Sequence, residues 1–148
     1  MTKILIVYHS LSGNTKAAAE AVADGVKAAS AQAVIKDGLQ AGPQDLLDCD
    51  AIAVGTPDYF SYMAGGVKDF FDRSYYPTQG KVIDKPCGIF VTHGGGGRAV
   101  DSMKSVCGSF KFKIMGDPVL ITNKPDKPAI DKLKALGKSL VQAVAGKK

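Results

Sequence analysis

Histidine occurs only twice in these 148 residues and cysteine three times, and both scarcities narrow the chemistry. Cys49, Cys87 and Cys107 are odd in number and lack CxxC or Cys/His ligand spacing, so neither a disulfide framework nor a metal site is encoded. Free buried thiols in a reducing compartment are expected instead. No GxxxxGK(S/T) stretch exists, which removes P-loop nucleotide hydrolases. A phosphoacceptor receiver needs acidic residues where the first strand ends, and Tyr8, His9 and Ser10 stand there. Long apolar runs are missing too: Ile4 to Val7 stops at Tyr8, too short for a secretory core or a membrane span. The expectation is a soluble, cytoplasmic protein. Acidic residues are outnumbered and the net charge is +5, yet the lysines are spread along the chain rather than gathered with aromatics, so no nucleic-acid partner is expected.

What is present begins with YHSLSGNT, Tyr8 to Thr15, between an apolar run and an alanine-rich helical stretch. Ser10, Ser12 and Thr15 supply hydroxyls, Gly13 permits close backbone approach, and Asn14 is placed to cap the helix beside it. Donors converging on a positive helix end make a phosphate cradle that needs no lysine or arginine. Ala18, Val22, Val26 and Ala29 then define a helix over roughly 15–30 with a narrow, small-residue face.

Further along, short apolar runs at 33–35, 51–54, 88–92 and 118–122 read as strands, and a short helix or turn at 43–48 brings Leu46 and Leu47 to the core. Helical faces are set by Met63, Val67, Phe70 and Phe71, ending near Arg73 or Ser74, then by Val100, Met103, Cys107 and Phe110, and by Ile130, Leu133, Leu140, Val141 and Val144. Strands without polar alternation, separated by helices, indicate an α/β chain with a five-stranded parallel sheet covered on both faces. No repeat or linker divides it, so residues 1–148 form one domain.

In such a sheet ligands bind beyond the carboxyl ends of the strands, where strand order reverses. The three unusual segments all leave strands at that edge: the cradle at 10–15, an aromatic and glycine loop at 55–66, and His93 with four glycines, Gly94 to Gly97. The proline, aspartate, serine and glycines of 55–66 argue for an irregular loop. A ligand with an anionic end and a planar body, met by Tyr59, Phe60 or Tyr62 and approached closely by bare backbone, suits all three.

Over essentially its whole length the chain resembles the flavodoxin-like family. Ile6 to Val22 is similar to that family's FMN-phosphate signature, while GTPDYFSYMAGGVKDFFD and THGGGG resemble the second and third flavin loops of its quinone-reductase-type branch. The resemblance implies a three-layer sandwich with strand order 2-1-3-4-5. It also implies FMN phosphate on Ser10, Ser12, Gly13, Asn14 and Thr15, with Thr56, Pro57, Asp58, Tyr59 and Phe60 on one side of the isoalloxazine and Thr92, His93, Gly94, Gly95 and Gly96 on the other. No catalytic residue is assigned.

Two activities follow from the resemblance: an electron carrier between a reductase and an acceptor, which is favoured, or an NAD(P)H:quinone oxidoreductase. The expected partners are accordingly a redox protein, or NAD(P)H and a quinone, with homo-oligomerisation left open. A flavin-free structural or sensory module is the third reading. Basic charge departs from acidic low-potential carriers, as does a third loop without aromatic or acidic residues; an easily reduced flavin is expected. Gly94, Gly96 and Ala99 also satisfy GxGxxA, but in mid-chain, where it is a weak dinucleotide fingerprint. His93 is open to a flavin contact or a backbone one. Asp58 is read first as a turn residue, Arg98 as a solvated one, and His9 as a strand-end residue beside the cradle.

Overall fold

The computed structural model describes residues 1–147. In chain order the elements are β1 (Lys3–Tyr8), α1 (Asn14–Ala28), β2 (Gln32–Asp37), α2 (Pro43–Asp48), β3 (Ala51–Tyr59), β4 (Tyr62–Met63), α3 (Gly65–Thr78), β5 (Pro86–His93), α4 (Ala99–Ser109), β6 (Lys113–Ile114), β7 (Val119–Thr122) and α5 (Lys127–Gly146). Parallel pairing runs β2-β1-β3-β5, with β6 and β7 both beside β5. With the hairpin strand β4 set aside, this is the expected order. The fifth position is shared by two short strands: β6 meets Pro86 and Cys87, β7 meets Phe90 to His93, and residues 115–118 bridge them. The sequence expectation had only the second piece, because Lys113–Ile114 is too short to show a pattern.

Successive side chains of a strand point to opposite faces, so each strand feeds two cores. Leu5, Val7, Ile52, Val54, Ile89 and Val91 meet Phe70, Phe71 and Met103 on the α2–α4 side. Ile4, Ile6, Ala51, Ala53 and Phe90 meet Val22, Leu133 and Leu140 on the α1–α5 side. Helices α1 and α5 approach closely through glycines. A Cβ on Gly25 would lie 2.0 Å from the Lys134 carbonyl oxygen, and one on Gly137 would lie 2.2 Å from that of Val22.

Three expectations are corrected. The 55–66 segment is not an irregular loop: β3 runs on to Tyr59 and folds back on β4, pairing Asp58 with Met63 and Tyr59 with Tyr62. Strand β1 pairs no further than Gly55, so Pro57 lies beyond the end of its neighbour on that side, where proline is tolerated. Helix α3 continues past Ser74 to Thr78 with Pro77 inside it; the Thr78 hydroxyl donates to the Ser74 carbonyl at 2.8 Å in that last turn. Asn14 does not cap α1. Gly13, at φ 96°, occupies the cap position and Asn14 is the first helical residue.

All three cysteines are buried and free. No helix of the described residues is long and apolar enough to cross a membrane.

Candidate functional site

At the carboxyl edge of the sheet β1 releases the chain into the cradle. The Ser10 hydroxyl accepts from the Gly13 amide at 3.0 Å, which tightens the loop and leaves the hydroxyl hydrogen free to donate. Gly13 takes a left-handed backbone, and the space around it is open, with nothing within 4 Å of where a Cβ would stand. The first amides of any helix lack intrahelical acceptors. Ala17 is the first whose amide turns back, to Gly13 oxygen at 3.0 Å. Thr15 is buried and shares a 2.7 Å hydrogen bond with Thr92, tying α1 to the end of β5.

The second segment is held rather than loose. Thr56 is fully buried; its hydroxyl donates to the Pro57 carbonyl at 2.7 Å and accepts from the Ala64 amide at 2.8 Å, fastening the hairpin to the start of α3. The Met63 amide donates to the Ser102 hydroxyl at 3.0 Å, fastening it to α4. At the tip Phe60 and Ser61 have φ 58° and 62°, the left-handed pair of a tight hairpin turn that glycine and asparagine usually occupy. This turn sends the Phe60 ring wholly into solvent.

Asp58 joins the second segment to the third. Its Oδ2 accepts from the Arg98 amide at 2.8 Å, while its Oδ1 is buried without a partner. The glycine run lies over it: a Cβ on Gly96 would stand 3.4 Å from Asp58 Oδ2. His93, the last residue of β5, likewise has a buried Nδ1 without a partner. Its carbonyl accepts from the Asn123 amide at 2.8 Å.

These segments enclose a crevice of about 140 Å³. Ser12 and Asn14 line it from the first loop, Pro57, Asp58 and Tyr59 from the second, and Thr92, His93 and Gly94 from the third. Thr15 and Thr56 are buried behind that lining, the half-buried Ser10 and exposed Gly13 belong to the loop beside it, Phe60 stands outside it, and Gly95 and Gly96 are exposed at its rim. His9 turns away: its Nδ1 is 3.6 Å from Asp37 Oδ2, and the ring lies over Gly66. Asn123, on a fourth loop after β7, completes the lining and was not anticipated. A lone asparagine after a strand reads as turn chemistry; only its position at the same sheet edge hinted at more.

A larger groove of about 640 Å³ runs between residues 115–120 and α5. Its lining is mostly apolar and gathers none of the unpartnered polar atoms, so the smaller crevice is the better candidate. Free helix-start amides and hydroxyls suit a phosphate, and two orphaned polar atoms, Asp58 Oδ1 and His93 Nδ1, call for a ligand with polar edge atoms. Bare glycine backbone suits a flat surface laid against it. That donor set fits FMN.

Comparison with known proteins agrees. Residues 32–126 match the family model described as NADPH-dependent FMN reductase. Among curated proteins, the chain is 32% identical over 121 residues to a flavodoxin of Aquifex aeolicus, covering 78% of this chain and 65% of that one. It is 39% identical over 94 residues to an NAD(P)H dehydrogenase (quinone) of Gluconacetobacter diazotrophicus, covering 50% and 47%. The matched stretches thus span about half to two thirds of those relatives' lengths. Among solved structures, a flavodoxin from the domain Archaea superposes with a TM-score of 0.88 at 28% identity, covering 97% of this chain and 99% of that one.

Proposed function

This chain belongs to the NADPH-dependent FMN reductase family, flavodoxin-like proteins that bind FMN, and from that premise we propose that it is an electron carrier, taking electrons from a reductase and passing them to an acceptor. The observation that carries the proposal is the openness of the crevice. Gly94, Gly95 and Gly96 are exposed along one rim and Phe60 along another, so a ring seated there keeps an edge at the surface for a docked protein.

In this reading the phosphate rests on the Ser12 and Asn14 end of α1, with Ser10 and Gly13 holding the loop and Thr15 locking it to Thr92. Asp58 and His93 meet the polar edge of the ring, Tyr59 borders it, and the glycine run covers it without side chains. FMN, when bound, supplies reversible one- and two-electron chemistry; the protein supplies orientation and the local field. Asp58 is the one carboxylate in the lining, and its second oxygen fixes the start of α4.

A second reading, an NAD(P)H:quinone oxidoreductase, is supported by the same glycines. A Cβ at Gly95 would meet nothing within 4 Å, which leaves bare backbone over which a planar second substrate fits. The experiment that separates the two loads the chain with FMN, removes oxygen, and adds NADPH or NADH alone. Bleaching within about a turnover of mixing supports the enzyme. Bleaching only after a reductase is added supports the carrier, and a chain that takes up no FMN overturns both.

A further inference from the structure

Resting on the FMN reading above, we infer that Asn123, outside the three loops that the flavin-binding signature covers, is a contact residue for the polar edge of the bound ring. The residue follows β7, whose Thr122 is in register with His93. Its backbone is fixed twice, by a left-handed φ of 58° and by its amide donating to the His93 carbonyl at 2.8 Å. Asparagine enters that conformation more readily than most residues, so the position is built for it. With the backbone amide spent on His93, the side chain is what Asn123 offers the crevice. Its Oδ1 would lie 4.0 Å from a Cβ on Gly94, which places the carboxamide over the first glycine of the run and inside the lining.

The chemistry of that group chooses the part of the ligand. A carboxamide presents a donor and an acceptor side by side. The pyrimidine edge of an isoalloxazine presents the complement, an N–H flanked by carbonyl oxygens, whereas a phosphate offers acceptors only. Asp58 and His93, each with one buried polar atom that lacks a partner, belong to the same crevice lining, and the Asn123 carboxamide adds a third polar side chain to it.

The test uses the full chain, FMN as the probe, and two variants. Asn123→Gly removes the side chain while keeping the left-handed backbone, and Asn123→Asp keeps the shape but loses the donor. Both are titrated by flavin fluorescence quenching, and the visible spectrum of the bound flavin is recorded. The expected result is FMN binding weaker by about five- to tenfold in each variant, the effect of one hydrogen bond, with the visible bands displaced from those of the unaltered protein. Wild-type protein that binds FMN alongside variants that match it in affinity and spectrum overturns the role of Asn123 alone. Wild-type protein that does not bind FMN overturns the cofactor reading and this inference with it. Should Asn123→Gly fail to fold, Asn123→Asp decides by the same two readouts.

Discussion

Gly13 shows how one residue sets the geometry of the cradle. At φ 96° it holds a backbone that a Cβ disfavours by about 1–2 kcal/mol, and no neighbour stands in the way of a side chain, so the cost is conformational. Gly13→Ala is therefore expected to lower stability by about that amount in urea unfolding and to weaken FMN binding by turning the helix start; an unchanged midpoint contradicts this. Thr15→Val would leave the buried Thr92 hydroxyl without its partner at 2.7 Å, a loss of about 1–3 kcal/mol, read as a lower melting temperature. These loop residues were legible in the sequence because hydroxyls, glycine and a helix start occurred together. By residue type alone Asp58 reads as a turn residue, and only the family resemblance puts it beside the ring. Its bond to the Arg98 amide spans 40 positions and no local pattern announces such a link. Asn123 was invisible for the same reason.

Among the elements, the strands and helices were read nearly in full, since buried parallel strands are plain apolar runs and each helix repeats its core face. The structure departs from the sequence pattern where glycine and proline do not break an element. The Gly55–Tyr59 stretch stays in β3 because Phe90 packs where a Gly55 side chain would be: a Cβ there would lie 2.0 Å from the ring. The α1–α5 contact rests on the same kind of fit. Gly25→Ala would press a methyl group against the backbone of Lys134 at 2.0 Å and force the helices apart. A loss of at least about 1–3 kcal/mol is expected, as for overpacked cores, with little change in FMN affinity because the contact lies away from the crevice. Wild-type stability in that variant would show that the helices are less tightly apposed.

For the whole molecule, the two cores share one sheet, so the described residues, 1–147, are expected to unfold in a single cooperative transition. The thiols report on the same core. Burial pushes the Cys49 thiol up from its usual value near 9 to about 11, against the pull of the Lys85 ammonium. Cys87 is raised by its contact with Cys107, 3.9 Å away, and by desolvation. Native protein at pH 8 should resist an aromatic disulfide reagent at all three positions and react at all three once unfolded. Because the folded value for Cys49 is raised, the stability it contributes is whole below about pH 9 and is lost as the pH climbs through about 11.

Charge also acts at this scale. The net charge of +5 is expected to make the flavin easier to reduce, and Asp58, the one carboxylate in the crevice lining, to oppose it. Asp58→Asn should raise the potential of the second reduction step by about 100–200 mV, the effect of one unit charge roughly 4–8 Å away at an effective dielectric near 20, in an anaerobic redox titration; a fall would contradict that field.

The start of α1 is proposed to hold the phosphate of FMN, and a paired titration reads this out. Wild-type protein and Ser12→Ala are each titrated with FMN by fluorescence quenching. Saturable one-to-one binding in the first, weakened in the second by about 10- to 100-fold for the loss of a charge-assisted hydrogen bond, is the predicted result. Equal dissociation constants for the two proteins would contradict it.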